Sequence, residues 1–245
     1  MDIRWVTAFI DLPASTHEAG EQFWLEATRS TLSERRGAQG EFATLLPPEG
    51  DAYLRMQRVR SGQGGVHLDL HVEDITAFAW RAVSLGATEL SREEGELVVL
   101  ASPGGMLFCV VGHSGEGTRP TPYAGIVDQV CLDITPSAFD VEGTFWADLT
   151  GWEVARGSRE EFVVLRRPAG QPLRLLLQRL DDERPGPVTA HLDLAAGAEV
   201  DKVVDRLGAL GARGVRELGN WVTMRDPGGL EFCVTTRDPA TGGLA

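Results

Sequence analysis

"HLDL" at residues 67–70 (His67-Leu68-Asp69-Leu70) returns letter for letter at 191–194 (His191-Leu192-Asp193-Leu194). Histidine occurs only five times in the chain, so two of them heading one tetrapeptide ask for a common cause. His67 and His191 are 124 residues apart, and so are Cys109 and Cys233. "SPGGMLFCVV" at 102–111 stands opposite "DPGGLEFCVT" at 226–235 with the same offset. Upstream, "LRMQRV" at 54–59 faces "LLLQRL" at 175–180, and "FW" at 23–24 faces "FW" at 145–146. The order is kept while the offset drifts slightly, so one unit of more than a hundred residues has been used twice, with small loop insertions. "GHSGEGTRPTPYAG" at 112–125, rich in Gly, Pro, Ser and Thr, reads as the connection between copies.

Each copy alternates strand-like and helix-like periodicity. "VTAFIDL" at 6–12 and "VHLDLHV" at 66–72 read as strands. A helix is expected after Pro13, opened by a capping box of Ser15 and Glu18 and ending near Thr28. Another is expected after Asp74, with Ile75, Phe78, Ala79, Ala82 and Leu85 on one face and Gly86 ending it. Short strands are expected at 31–35, 41–46, 52–59, 97–101 and 106–111. The second copy repeats the plan: strands near 127–134, 152–156, 161–166, 172–180, 189–195, 214–217, 221–225 and 230–235, a helix near 138–149, and one closed by Gly211. Each half-copy is thus a strand, a helix and about three strands, and the chain holds four βαβββ modules.

Hydrophobic residues make up 42% of the 245 positions, enough for a full core without disulfides or metals. Twenty-three Lys and Arg against 36 Asp and Glu give a net charge of −13, which argues against a phosphate-tracking nucleic-acid surface. No apolar run approaches the roughly 18 residues of a membrane span, and the start lacks the pattern of a signal peptide. Cys109, Cys131 and Cys233 lie far apart without CxxC spacing, the usage of a reducing compartment. A cytoplasmic protein handling small molecules is expected, as a monomer or weak homodimer, since one chain supplies all four modules.

The plan, the "TGW" at 150–152, the strand-opening His of "HLDL" and the closing "DPGG" turn, in that order, resemble the vicinal oxygen chelate superfamily, the glyoxalase, bleomycin-resistance and ring-cleaving dioxygenase group. The likeness is greatest to its glyoxalase-like bacterial branch. In the first copy Arg29 stands where the second has Gly151. The resemblance implies an α+β fold: tandem domains at 1–115 and 124–238, a linker at 116–123, a tail at 239–245, and two curved mixed sheets each forming a U-shaped cleft. It also implies metal-ligand positions, which here are Thr7, Gln57, His67 and Cys109 in the first domain and Gln129, Gln178, His191 and Cys233 in the second. Metal-dependent relatives favour His or Gln, Glu, His and Glu there. Both acidic positions of each domain are gone.

Gln is a weak neutral ligand and Cys a soft one, so no cofactor is expected, the alternative being a divalent Zn, Fe, Mn or Ni ion. Without metal the imidazoles remain useful. Residues i and i+2 of a strand share a face, so His67, Asp69 and His71, and likewise His191 and Asp193, should line one side while the leucines pack on the helices. A carboxylate beside an imidazole orients it and favours its charged form. The expected ligand-binding set is Gln57, His67, Asp69, His71, Cys109, Gln129, Gln178, His191, Asp193, Trp221 and Cys233. Cys109, Cys131 and Cys233 read as small core residues, Trp24 and Trp146 as helix packing, Trp80 as an outer flank, and His17 and His113 as solvated. The function expected is binding of a small organic molecule, as in drug-sequestering relatives. The alternative is a lyase, isomerase or dioxygenase using His191 with or without metal.

Overall fold

A computed structural model describes residues 2–60, 62–93 and 95–244; the outermost positions of the expected first domain and tail, 1 and 245, lie outside the described residues. In chain order the elements are β1 (Trp5–Pro13), α1 (His17–Ala27), β2 (Thr31–Leu32), β3 (Phe42–Leu46) and β4 (Leu54–Val59); then β5 (Gly65–Val72), α2 (Ile75–Ser84), β6 (Thr88–Glu93), β7 (Leu97–Ala101) and β8 (Leu107–Gly112). The second copy follows with β9 (Ile126–Ile134), α3 (Phe139–Thr150), β10 (Glu153–Arg156), β11 (Phe162–Arg166) and β12 (Arg174–Arg179); then β13 (Thr189–Ala195), α4 (Val200–Ala209), β14 (Arg213–Leu218), β15 (Trp221–Arg225) and β16 (Glu231–Thr235). These are the four βαβββ modules expected.

The strands form two open eight-stranded sheets of identical plan, β2-β3-β4-β1-β5-β8-β7-β6 and β10-β11-β12-β9-β13-β16-β15-β14. Both are mixed. β5 runs parallel to β8 and β13 to β16, while the hairpins are antiparallel. Leu68, Leu70, Leu192 and Leu194 are buried, as the strand alternation requires. Among the described residues no helix is long and apolar enough to cross a membrane.

By contact density the chain gathers into two compact units, each drawing one module from either copy. One holds Met1–Ala8, His67–Thr118 and Val130–Ala190; the other holds Phe9–Val66, Arg119–Gln129 and His191–Ala245. Each unit is built on an aromatic trio at corresponding positions. Phe145, Trp146 and Phe108 meet at 5.2–5.9 Å in the first, Trp146 edge to face with both phenylalanines. Phe23, Trp24 and Phe232 meet at 5.3–5.6 Å in the second.

Each tryptophan is fully buried, and its indole N–H needs an acceptor. Trp24 donates to Asp226 Oδ2 at 2.6 Å, and Asp226 Oδ1 takes the Leu230 N–H at 2.8 Å. Trp146 donates to Glu142 Oε2 at 2.8 Å, and the other oxygen of Glu142 takes the Gly104 N–H. The carboxylate therefore belongs to the turn in one unit and to the helix in the other. Against Gly228 of the same turn lies Gly20, whose added Cβ would fall 2.6 Å from Leu12 and 3.3 Å from the Gly228 Cα. Glu142 stands at the position corresponding to Gly20, and Ser102 at that of Asp226.

Local chemistry departs from the sequence expectation in three places. Asp74 caps α2 through the Ala77 N–H as expected, but α1 has no capping box. It starts at His17 behind Thr16, which makes no side-chain cap and instead donates its hydroxyl to Gly228 O at 2.8 Å. A tertiary contact outcompeted a local one. His17 is buried and not solvated, and burial lowers its pKa against the opposing charge of Glu21. β6 was not anticipated. Its residues are all exposed, so no apolar alternation marks it.

Candidate functional site

In the second copy the site is built on β13. Parallel pairing sets Asp193 opposite Cys233 on β16, and antiparallel pairing sets Thr223 of β15 opposite Cys233. These registers bring His191 Nε2 to 3.6 Å from Cys233 Sγ and 3.3 Å from Asp193 Oδ1. Thr223 Oγ1 lies 3.6 Å from the same sulfur. Trp221, two residues before Thr223 on β15, shares its face and is half-buried. His191 keeps 15% of its side-chain surface open.

Behind the imidazole lies a charged network. The Gln129 amide donates to Asp193 Oδ2. Arg237 Nη1 is 3.6 Å from Asp193 Oδ2, and Arg237 also forks onto both oxygens of Asp128. Asp128, Gln129, Asp193 and Arg237 are all buried. Burial alone would raise the Asp193 pKa. The hydrogen bond and charge of His191, the charge of Arg237 and the Gln129 amide outweigh it and hold the carboxyl below its ordinary value. Asp193 is thus an ionised carboxylate with one oxygen, Oδ1, turned toward the imidazole.

The first copy arranges the same tetrapeptide differently. His67 Nε2 is 4.0 Å from Asp69 Oδ1, and the ligand atoms of His67, Asp69 and Cys109 lie within 4.8 Å of one another. Asp69 is buried, while His67 and Cys109 are half-buried. His71 is fully buried and sits 3.0 Å from Thr7 Oγ1 and 3.9 Å from Glu116 Oε2. It props the strand and presents nothing outward. Where the second copy has Asp128, Gln129 and Arg237, the first has Val6, Thr7 and His113. His113 is half-buried, with Nε2 2.8 Å from Glu116 O.

The expected site residues therefore divide. His191, Asp193, Gln129 and Cys233 come together in the second copy, and His67, Asp69 and Cys109 in the first. Gln178 joins the second-copy group through Cys131, whose thiol it accepts at 3.5 Å and whose sulfur lies within 4.8 Å of the ligand atoms of His191 and Asp193, while Gln57 of β4 is paired opposite Phe42 of β3. Cys131 and Cys233 are buried as expected, but Cys109 is partly open. Asp128 and Arg237 were overlooked. The signal was present: a charged residue inside the apolar run "IVDQVCL" must find a partner, because a lone buried charge is prohibitive.

A divalent ion fits the two copies unequally. Two ligands of one ion stand about 3–3.5 Å apart given bond lengths of about 2.0–2.3 Å. In the first copy a small adjustment of His67, Asp69 and Cys109 would provide an imidazole, a carboxylate and a thiolate, a set suited to Zn, Fe or Ni. The second copy holds Cys131, His191 and Asp193 within the same radius, but Asp193 already faces the Arg237 guanidinium, shared with Asp128, and a second cation would have to compete with it.

The profile of the glyoxalase-like domain family matches residues 7–111 and 129–235. Curated protein sequences give no match. Among solved structures, a variant of 4-hydroxymandelate synthase from Streptomyces coelicolor is similar at 15% identity and a TM-score of 0.65, over 99% of this chain and 94% of that one. For 2,2',3-trihydroxybiphenyl 1,2-dioxygenase from Sphingomonas wittichii the figures are 12%, 0.64, 99% and 95%. For a variant of homoprotocatechuate 2,3-dioxygenase from B. fuscum they are 14%, 0.68, 97% and 72%. At such identities the likeness is one of fold.

Proposed function

The chain belongs to the glyoxalase-like domain family, and from that premise we propose that it binds a small organic molecule, with the second copy using His191 as a metal-free proton donor and acceptor. The observation that carries this is the engagement of Asp193 by Arg237 and Gln129. That engagement fixes an ionised carboxylate 3.3 Å from the imidazole. The arrangement orients the ring and stabilises the charge it acquires on accepting a proton. A carbonyl or hydroxyl group reaching His191 would find a donor backed by a fixed negative charge. Binding alone serves sequestration; proton exchange on the bound molecule serves an isomerase or lyase.

The test is a tryptophan-fluorescence titration against a panel of phenols, hydroxy acids and aromatic antibiotics, with Trp221 close to the site. His191→Ala should weaken binding of the responding compound roughly tenfold or more, the loss of one charge-assisted hydrogen bond. An unchanged affinity would remove His191 from the site.

A second reading rests on the first copy, where His67, Asp69 and Cys109 cluster. There the chain would hold a divalent ion, in the manner of a metal-dependent dioxygenase, several of the similar structures being dioxygenases. The ion would supply polarisation of a ligand oxygen. His67 and Cys109 would hold it and Asp69 would offset its charge. Protein purified without chelator should then carry near-equimolar metal that His67→Ala abolishes and His191→Ala leaves in place. Metal lost with His191→Ala instead would overturn the metal-free assignment of the second copy.

A further inference from the structure

The unit containing α1 and the end of the inter-copy connection holds an open cavity of about 200 Å³ that shares no residue with either imidazole site. Its buried floor is Thr28, Leu45, Tyr53, Leu54 and Pro120, and prolines 47, 48 and 122 form its rim. Tyr53 is fixed by donating its hydroxyl to Val127 O at 2.9 Å. The wall is set by a close approach: a Cβ on Gly50, at φ +81°, would lie 2.7 Å from the Pro120 nitrogen. Flat apolar walls of proline and tyrosine suit a ring.

Of the two charged groups in the lining, Arg29 and Glu49, the arginine stands under strain. Arg29 is the non-glycine residue with positive φ, at +57°, among the described residues. Its counterpart Gly151 takes φ +66° at no steric cost. A side chain retained in the left-handed region against that cost is a pointer to use. The Arg29 guanidinium lies 4.4 Å above the Tyr123 ring, and it makes no ion pair among the described residues. The carbonyls at the end of α1 that would repel an anion are already engaged. Tyr123 donates its hydroxyl to Thr28 O at 2.9 Å, and Arg206 Nη2 donates to Ala27 O at 3.1 Å. Glu49, the carboxylate of the lining, accepts the Thr121 hydroxyl at 2.6 Å.

We infer that this cavity is a binding site for a small aromatic carboxylate, its ring between the prolines and Tyr53 and its carboxylate on the Arg29 guanidinium. A volume of this size admits one substituted benzene ring.

The test uses benzoate, benzyl alcohol and benzylamine as probes, followed by amide chemical shifts of the full-length protein. Benzoate should shift the amides of Tyr53, Arg29 and Tyr123, benzyl alcohol should bind roughly tenfold or more weakly, and benzylamine should not compete. Arg29→Gly restores the residue of the second copy, so the variant should stay folded, with Tm within roughly 3 °C of the parent. It should lose benzoate affinity by roughly ten- to hundredfold while leaving the benzyl alcohol affinity unchanged. No shift with benzoate up to about 10 mM, equal binding of all three probes, or full benzoate affinity in Arg29→Gly would each overturn the assignment.

Discussion

The two copies carry the same tetrapeptide on the same strand of the same module, yet they have solved the problem of a buried aspartate differently. Asp193 is embraced by Arg237 and Gln129, with Asp128 as a second anion for the guanidinium. Around Asp69 the corresponding places are taken by Val6, Thr7 and His113. A buried carboxylate needs a cation or donors. In the second copy the protein supplies the cation, which leaves the imidazole available for proton chemistry. Three corresponding positions, 6 and 128, 7 and 129, and 113 and 237, thus give the two aspartates different surroundings on one scaffold.

The comparison breaks most sharply at Arg237. Arg237→Ala would leave Asp128 and Asp193 as two buried carboxylates without their cation, and should cost about 3–5 kcal/mol. His113→Ala at the corresponding position should cost under about 1 kcal/mol. Urea denaturation of both variants measures the difference. Near-equal values would mean that the two copies are not differently compensated.

A smaller effect is expected at the tryptophans. Trp24→Phe and Trp146→Phe keep the aromatic trio but remove the hydrogen bond to Asp226 or Glu142, leaving a buried carboxylate oxygen less satisfied. Each should cost about 1–3 kcal/mol. Similar losses by thermal unfolding would establish that the source of the carboxylate, turn or helix, does not matter to the anchor.

The smallest effect lies in the pH dependence. Burial raises the Asp226 pKa above its ordinary value despite the hydrogen bonds from Leu230 and Trp24. The folded state therefore holds a proton that the unfolded chain has released. This group's contribution improves as pH falls through the raised value toward about 3.9, and it is a cost above it. Asp193, with its pKa lowered, acts oppositely: its stabilisation is present above about 3.9 and is lost as pH falls through the lowered value. In Asp226→Asn the first trend should vanish, so the parent gains on the variant between neutral pH and pH about 4. Denaturation at a series of pH values reads this directly, and a constant difference would remove Asp226 from the account.

The duplication made the architecture legible. Repeated motifs in fixed order marked four modules, and period-two alternation placed His67, Asp69, His191 and Asp193 on their strands. What escaped was tertiary. Thr16 gave up capping α1 to reach Gly228. The exposed strand β6 carries no apolar signal. His71, written beside the site in sequence, is consumed by Thr7 within the fold. Arg237 lies beyond the last recognisable motif, and the distant Asp128 and Asp193 explain it. Strand spacing reports which face a side chain takes, but not which neighbouring strand meets it.

The exchanged carboxylates under the tryptophans carry a consequence for the chain's history. Laid on the 102–108 segment, α1 would offer Trp24 a serine in place of an acid; laid on 226–232, α3 would crowd Glu142 and Asp226 into one dry pocket. An isolated copy pairing with itself would meet one mismatch or the other. The fused halves have become a lock and its own key, and neither can be shed in favour of a twin.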